Sequence, residues 1–174
     1  MINEKMEKAF NRQINAETYS AYLYWSMSAA LEYMNLPGFA NWMQVQAQEE
    51  MTHAVKFFRH IMERGGRVAL TAIDGPPTGW KDVEDVFKNI QKHEEHVTSL
   101  INDLMDLALT EKDHAAVMFL QWFVTEQVEE EYMVHEILGK LKVAGTASAA
   151  LYMLDREMAQ RVFVPPTTAQ KVQG

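Results

Sequence analysis

The sequence predicts an all-α protein: a bundle of four long helices, with one long crossover between the second and third and a short fifth helix near the C-terminal end. Three features carry that prediction. Only 8 Gly and 5 Pro occur in 174 residues, and they fall in clusters. The segments between clusters are rich in Ala, Leu, Met, Glu, Lys and Gln, which are good helix formers, and strand-like alternation is absent except for a brief hint at Val68 to Ile73. One of the clusters is far longer than the others.

The predicted elements follow from those breaks. Helix α1 covers about 4–34 and ends at NLPG, residues 35–38. Helix α2 covers about 38–64 and ends at the long break RGGRVALTAIDGPPTGW, residues 64–80. Helix α3 covers about 81–109 and stops at the softer break LTEKDH. Helix α4 covers about 113–142, up to VAGTAS, and the short α5 covers about 147–160. Residues 1–160 are expected to form one domain, and 161–174, closing on VPPTTAQKVQG, a loose tail.

Connection lengths predict the topology. The α1–α2 and α3–α4 breaks are short, so each pair forms an antiparallel hairpin. A helix of 27 residues is about 40 Å long. A connector of about 15 extended residues spans roughly 50 Å. The α2–α3 break can therefore run the full height of the bundle and start α3 parallel to α2. A simple up-down bundle would have no use for it.

Composition narrows the function. The net charge of −8 argues against a nucleic-acid partner and suits a protein that attracts cations. The absence of Cys excludes disulfides, zinc–thiolate sites, iron–sulfur clusters and a thiol nucleophile. No apolar run is long enough to cross a membrane, and the N-terminus MINEKMEKAF has no signal-peptide core, so a cytoplasmic location is expected.

Each long helix has an inward stripe at i, i+3, i+4, i+7 spacing, and a Glu interrupts each near its middle. The α1 stripe is Phe10, Ile14, Glu17, Ala21, Tyr24, Ser28 and Leu31. The α2 stripe is Met43, Ala47, Glu50, Ala54, Phe57 and Ile61, with His53 one turn from Glu50 on the same side. The α3 stripe centres on Glu94, and the α4 stripe holds Gln127 and Glu130. One such Glu could reflect a slipped register. Four together cannot be dismissed so easily, because buried carboxylates need partners and no stripe contains Lys or Arg. Two divalent cations would balance four carboxylates. Oxygen donors with one imidazole suit iron(II), manganese(II) or zinc(II), and a pair of irons fits better than zinc, which prefers more nitrogen or sulfur.

Helix heights agree on one side of the bundle and not on the other. Glu94 and Glu130 lie at nearly equal distances from the α3–α4 turn. Glu17 and Glu50 differ by about 9 Å along their helices at 1.5 Å per residue, a mismatch that a staggered hairpin or a reaching side chain must absorb.

The motifs NRQINAETYSAYLY around Glu17, QAQEEMTHAVKFF around Glu50 and His53, KHEEHVT around Glu94 and FLQWFVTEQVEEEY around Glu130 occur in order along nearly the whole chain. In these the sequence resembles the non-haem ferritins of bacteria and archaea. The resemblance implies a ferritin-like four-helix bundle carrying a di-iron ferroxidase centre. Glu17 and His53 would hold one iron, Glu94 and Glu130 the other, and Glu50 would bridge them. Gln127 would assist on the oxygen-binding side and Tyr24 would sit beside the centre. A third iron site would use Glu49, Glu126, Glu129 and a shared Glu130. Iron(II) would be oxidised by dioxygen or peroxide and stored as a mineral inside a hollow cage of twenty-four subunits. Helix α5, with Leu151, Leu154 and Met158 on one side, would pack at the cage's four-fold axes. No haem is expected: haem-containing bacterioferritins carry a second Glu-x-x-His on α4, and here Met133 stands three residues after Glu130. The alternatives are a haem-containing bacterioferritin, in whose haem-ligating Met position Met51 stands, and a metal-free structural bundle.

Overall fold

In the computed structural model, which describes residues 1–165, five helices are present and no strand occurs among the described residues. They run Glu4–Tyr33 (α1), Pro37–Glu63 (α2), Val83–Thr110 (α3), His114–Ala144 (α4) and Ser148–Met158 (α5). Each lies close to its predicted position. Side-chain caps hold three N-termini: Asn3 accepts from Met6 N, Asp82 from Asp85 N, and Asp113 from Ala116 N. The two short turns are closed by Asn35 and Lys112 in the left-handed region, at φ 60° and 56°. From residue 166 the expected C-terminal tail lies outside the described residues.

All residues of the four predicted stripes are buried. Their apolar members form two separate cores. One lies at the end where α2 and α3 begin, and contains Leu31, Phe39, Phe87, Ile137 and Leu154. The other lies at the opposite end, with Phe10, Phe57, Ile101 and Leu120. The four interrupting glutamates form a polar waist between them. Burial of these apolar side chains, at about 1.5–3 kcal/mol each, is what makes such a waist tolerable.

The crossover is irregular but not free. It runs beside α1 in that helix's own direction, on a ladder of polar side chains spaced four residues apart. Glu7 accepts from Arg67 N, Asn11 accepts from Ala69 N and donates to Arg67 O, and Asn15 donates to Ala72 O. Further along, Ser26 donates to Pro77 O. The chain thus climbs from the start of α1 toward its end, and α3 begins beside the start of α2. The parallel α2–α3 arrangement expected from the connector's length is the one observed. The hint of strand at Val68 to Ile73 is not realised, because side chains of α1 rather than a second strand satisfy this backbone.

Helix α5 caps its own bundle. Leu154 and Met158 are buried in the first core and Leu151 packs against it. The apolar side of α5 thus packs on the chain's own first core. The outward side carries Tyr152 and Met153 instead. Asp155 completes the joint: its carboxylate accepts from Phe39 N at 3.0 Å, capping the start of α2, where Leu36 offers no side-chain bond. The approach is so close that a Cβ on Gly38 would sit 1.7 Å from Asp155 O. Asp155→Ala is expected to lower stability by about 1–2 kcal/mol, as for loss of a cap. Gly38→Ala is expected to cost more than Asp155→Ala, because backbone rather than a mobile side chain must move. Thermal unfolding followed by circular dichroism ranks the two variants, and equal melting temperatures would refute the proposed joint.

Candidate metal centre

The waist brings together the residues that the stripes single out. Glu17, Glu50 and His53 place one ligand atom each within 4.8 Å of one another, a group able to hold a metal ion. His53 Nδ1 lies 3.3 Å from Glu50 Oε2 and 4.0 Å from Glu17 Oε2. The imidazole is held edge-on to the rings of Trp122 and Phe123, with centroids 5.4 and 5.9 Å away. Glu94 and Glu130 enter from α3 and α4, and both are about 1% exposed. The height mismatch between Glu17 and Glu50 is smaller than the sequence suggests. Glu17 lies sixteen residues before Tyr33 and Glu50 thirteen after Pro37. The remaining three residues amount to about 4.5 Å of rise, within reach of a Glu side chain. Glu94 and Glu130 are symmetric, each sixteen residues from its helix end at Thr110 or His114.

A layer of neutral donors holds these carboxylates. Gln46 Nε2 donates to Glu130 Oε2 at 2.8 Å and to Glu50 Oε1 at 3.2 Å, tying α2 to α4. Gln13 Nε2 donates to Glu17 Oε1 at 3.0 Å. Gln127 Nε2 donates to Glu94 Oε2 at 3.3 Å, and the Tyr24 hydroxyl donates to Glu94 Oε1. His93 shares a hydrogen bond with Ser20 Oγ at 2.8 Å and sets its ring edge-on against Tyr24. Stripe analysis finds Gln127 and Tyr24 but misses Gln13 and Gln46. Their signal is present in the sequence: each stands four residues before a site Glu, one turn away on the same side of its helix.

Electrostatics distinguish the site from an ordinary polar core. Among the described residues no Lys or Arg pairs with Glu17, Glu50, Glu94 or Glu130. Glu17 Oε2 is buried without a hydrogen-bond partner. Burial, and secondarily the charge of Glu50, raises the Glu17 carboxyl from 4.5 to about 8. Burial likewise raises Glu50, Glu94 and Glu130, with repulsion between the carboxylates adding to it. Burial and the surrounding carboxylates push the Tyr24 phenol well up, so it stays a neutral donor. Four carboxyls, one with an orphaned oxygen, and one imidazole make a donor set suited to hard or borderline divalent cations.

The outer residues are arranged differently. Glu126 Oε1 lies 3.9 Å from His53 Nε2, on the ring nitrogen away from Glu50. Glu49 is half-buried and paired with Arg161, and Glu129 is exposed on the surface of α4. Burial raises both Glu49 and Glu126. Of the other histidines, His60 stacks on Phe119 with centroids 4.0 Å apart and burial lowers it to about 4, consistent with a packing role.

A five-helix fold with a carboxylate waist defines a class, the four-helix bundles with one long crossover and a carboxylate-lined interior, and comparison with known proteins narrows it. The profile of the ferritin-like domain family matches residues 7–144. A bacterial non-haem ferritin of Bacteroides fragilis is 45% identical over 161 residues, covering 92% of this chain and all of that one. Its counterpart in Escherichia coli O157:H7 is 35% identical, covering 91% and 96%. Among solved structures, an Archaeoglobus fulgidus ferritin engineered into a closed form superposes with a TM-score of 0.93 at 49% identity, covering 94% of this chain and all of that one. The open-pore ferritin of the same archaeon gives 0.92 at 49% identity, covering 93% and 100%. The chain belongs to the ferritin family.

The raised carboxyls predict how the metal-free protein responds to pH. A carboxyl with a raised folded pKa costs nothing below about 4.5, where it is protonated folded or unfolded, and costs stability as pH climbs through about 8. Metal-free protein is therefore expected to melt at a higher temperature at pH 5 than at pH 9. Glu17→Gln, which stays neutral, is expected to show a smaller drop over that range. A drop of equal size in both proteins would mean that Glu17 ionises freely in the fold.

Proposed function

We propose that this chain is a ferroxidase: it oxidises iron(II) and stores the iron(III) formed. The observation that carries this reading is the waist itself, four buried carboxyls and an imidazole from four helices, with no Lys or Arg paired to them among the described residues. Iron(II) is the substrate. Glu17 and His53 take one ion, Glu94 and Glu130 the other, and Glu50 bridges the two. As the ions arrive, the carboxyls that burial keeps protonated release their protons to solvent. Each iron gives one electron to dioxygen, and two protons complete hydrogen peroxide. Peroxide can serve as the oxidant in its turn. The anionic oxygen donors favour iron(III) over iron(II), and the chemistry belongs to the metal.

The remaining residues orient this set. Gln46 and Gln13 aim Glu50, Glu130 and Glu17, while Tyr24 and Gln127 hold Glu94. A third iron site is assigned to Glu49, Glu126, Glu129 and the shared Glu130, on the far side of His53. The likeness to ferritins supports assembly into a hollow cage of twenty-four copies in the cytoplasm, with oxidised iron as a mineral inside. No helix among the described residues is long and apolar enough to cross a membrane. The scheme is that of the non-haem relatives, since α4 has Met133 where the haem-containing relatives complete a second Glu-x-x-His.

Aerobic addition of iron(II) to metal-free protein, followed by ultraviolet absorbance, tests the proposal. Wild type is expected to form iron(III) far faster than buffer. Glu50→Ala with Glu130→Ala is expected to slow it by more than the roughly 10–100-fold typical of losing an outer partner of a metal ligand. Rates equal to buffer for both proteins would sink the proposal. A second prediction concerns size: sedimentation should show the large cage, and a dimer at every salt concentration would contradict it.

A further inference from the structure

Glu49 differs from the carboxyls of the waist in having a basic partner. Arg161, three residues beyond the end of α5, places Nη2 2.5 Å from Glu49 Oε2. Its guanidinium lies over Trp42, 4.2 Å from the ring centroid. The same positive charge is felt by Glu130, which the third iron would share. The cation thus stands on Glu49, one of the donors assigned to that iron.

The contact is incomplete on the arginine's side. Only one arm of the guanidinium fork meets the carboxylate, and the other, Nη1, is buried without a partner. A two-armed arginine–carboxylate pair would be tighter and more directional. Leaving Glu49 would let the stranded Nη1 regain water, which lowers the cost of release. The backbone is held independently, since Asn41 Nδ2 donates to Arg161 O at 2.9 Å. The side chain can swing away while its segment stays attached to α2.

We propose that Arg161 is a displaceable internal counter-ion of the third iron site, occupying Glu49 until iron takes its place. The proposal rests on the third-site assignment above. Because Arg161 competes for Glu49 and draws on Glu130, the third iron binds more weakly than it would to the bare carboxylates. Among the described residues no Lys or Arg pairs directly with a carboxyl of the waist. The two irons of the waist bind first, and the third follows when the guanidinium withdraws. Arg161 is a positioning residue that sets the order and strength of loading.

Anaerobic calorimetry of iron(II) binding to the assembled protein tests this, with emission from Trp42 isolated by comparison with Trp42→Phe. Arg161→Gln is expected to bind the third iron about tenfold more tightly, the scale of one lost charged hydrogen bond. Arg161→Lys, which keeps the charge, should stay near wild type. Trp42 emission should change at the third equivalent in wild type and not in Arg161→Gln. An unchanged or weaker third affinity in Arg161→Gln overturns the proposal. If that variant does not fold, the absence of a Trp42 change at the third equivalent in wild type overturns it instead. Glu126→Gln separates the two ideas. If it abolishes a third event that Arg161→Gln leaves untouched, the site stands and the arginine's role falls. If wild type and Arg161→Gln both bind two irons and Glu126→Gln changes nothing, the third site falls and takes the proposal with it.

Discussion

The structure is organised around four carboxyls buried at one level of a helical bundle, without a basic partner among the described residues. Burying an ionised carboxylate costs several kcal/mol even after relaxation. The metal-free protein meets that cost by keeping protons on the site, which is why burial raises Glu17 to about 8. Protons and divalent cations then compete for the same oxygens. In the proposed ferroxidase, the affinity for metal and the pH sensitivity of the metal-free fold have one origin.

The rest of the chain makes this arrangement affordable and rigid. Two apolar cores, one on each side of the waist, supply the burial energy. Amides from Gln13, Gln46 and Gln127 and the Tyr24 phenol orient the carboxyls without neutralising them. A Lys or Arg in those places would pair with the site and exclude the metal. The one arginine that approaches does so from outside the waist, through Glu49. The crossover fixes α2 and α3 parallel, which lets Glu50 and Glu94 meet at one height, and α5 locks the start of α2 through Asp155.

Much of this was legible in the sequence. Helix positions and all four stripes could be read because burial on one helix face imposes a 3.6-residue period that leaves its trace residue by residue. The carboxylate interruptions were legible for the same reason. Gln13 and Gln46 lay in plain view at i−4 from their glutamates, yet a single amide near a stripe has no chemistry of its own to single it out. Arg161 was not legible at all. It follows α5, more than a hundred residues from Glu49, and only the way α5 folds back places it there.

The sequence by itself determined the helices, which of their faces are buried, and that four of those faces carry an uncompensated charge, since these depend on local periodicity and composition. Tertiary structure alone decided the rest. It reduced the Glu17–Glu50 offset, because the turn at Asn35 and the start of α2 at Pro37 set the stagger of the hairpin. It set the apolar side of α5 against its own bundle, where the glycine at position 38 lets the two backbones touch. It also set Arg161 on Glu49. Such contacts join residues far apart in the chain, and their geometry depends on how whole helices pack, which no local pattern encodes.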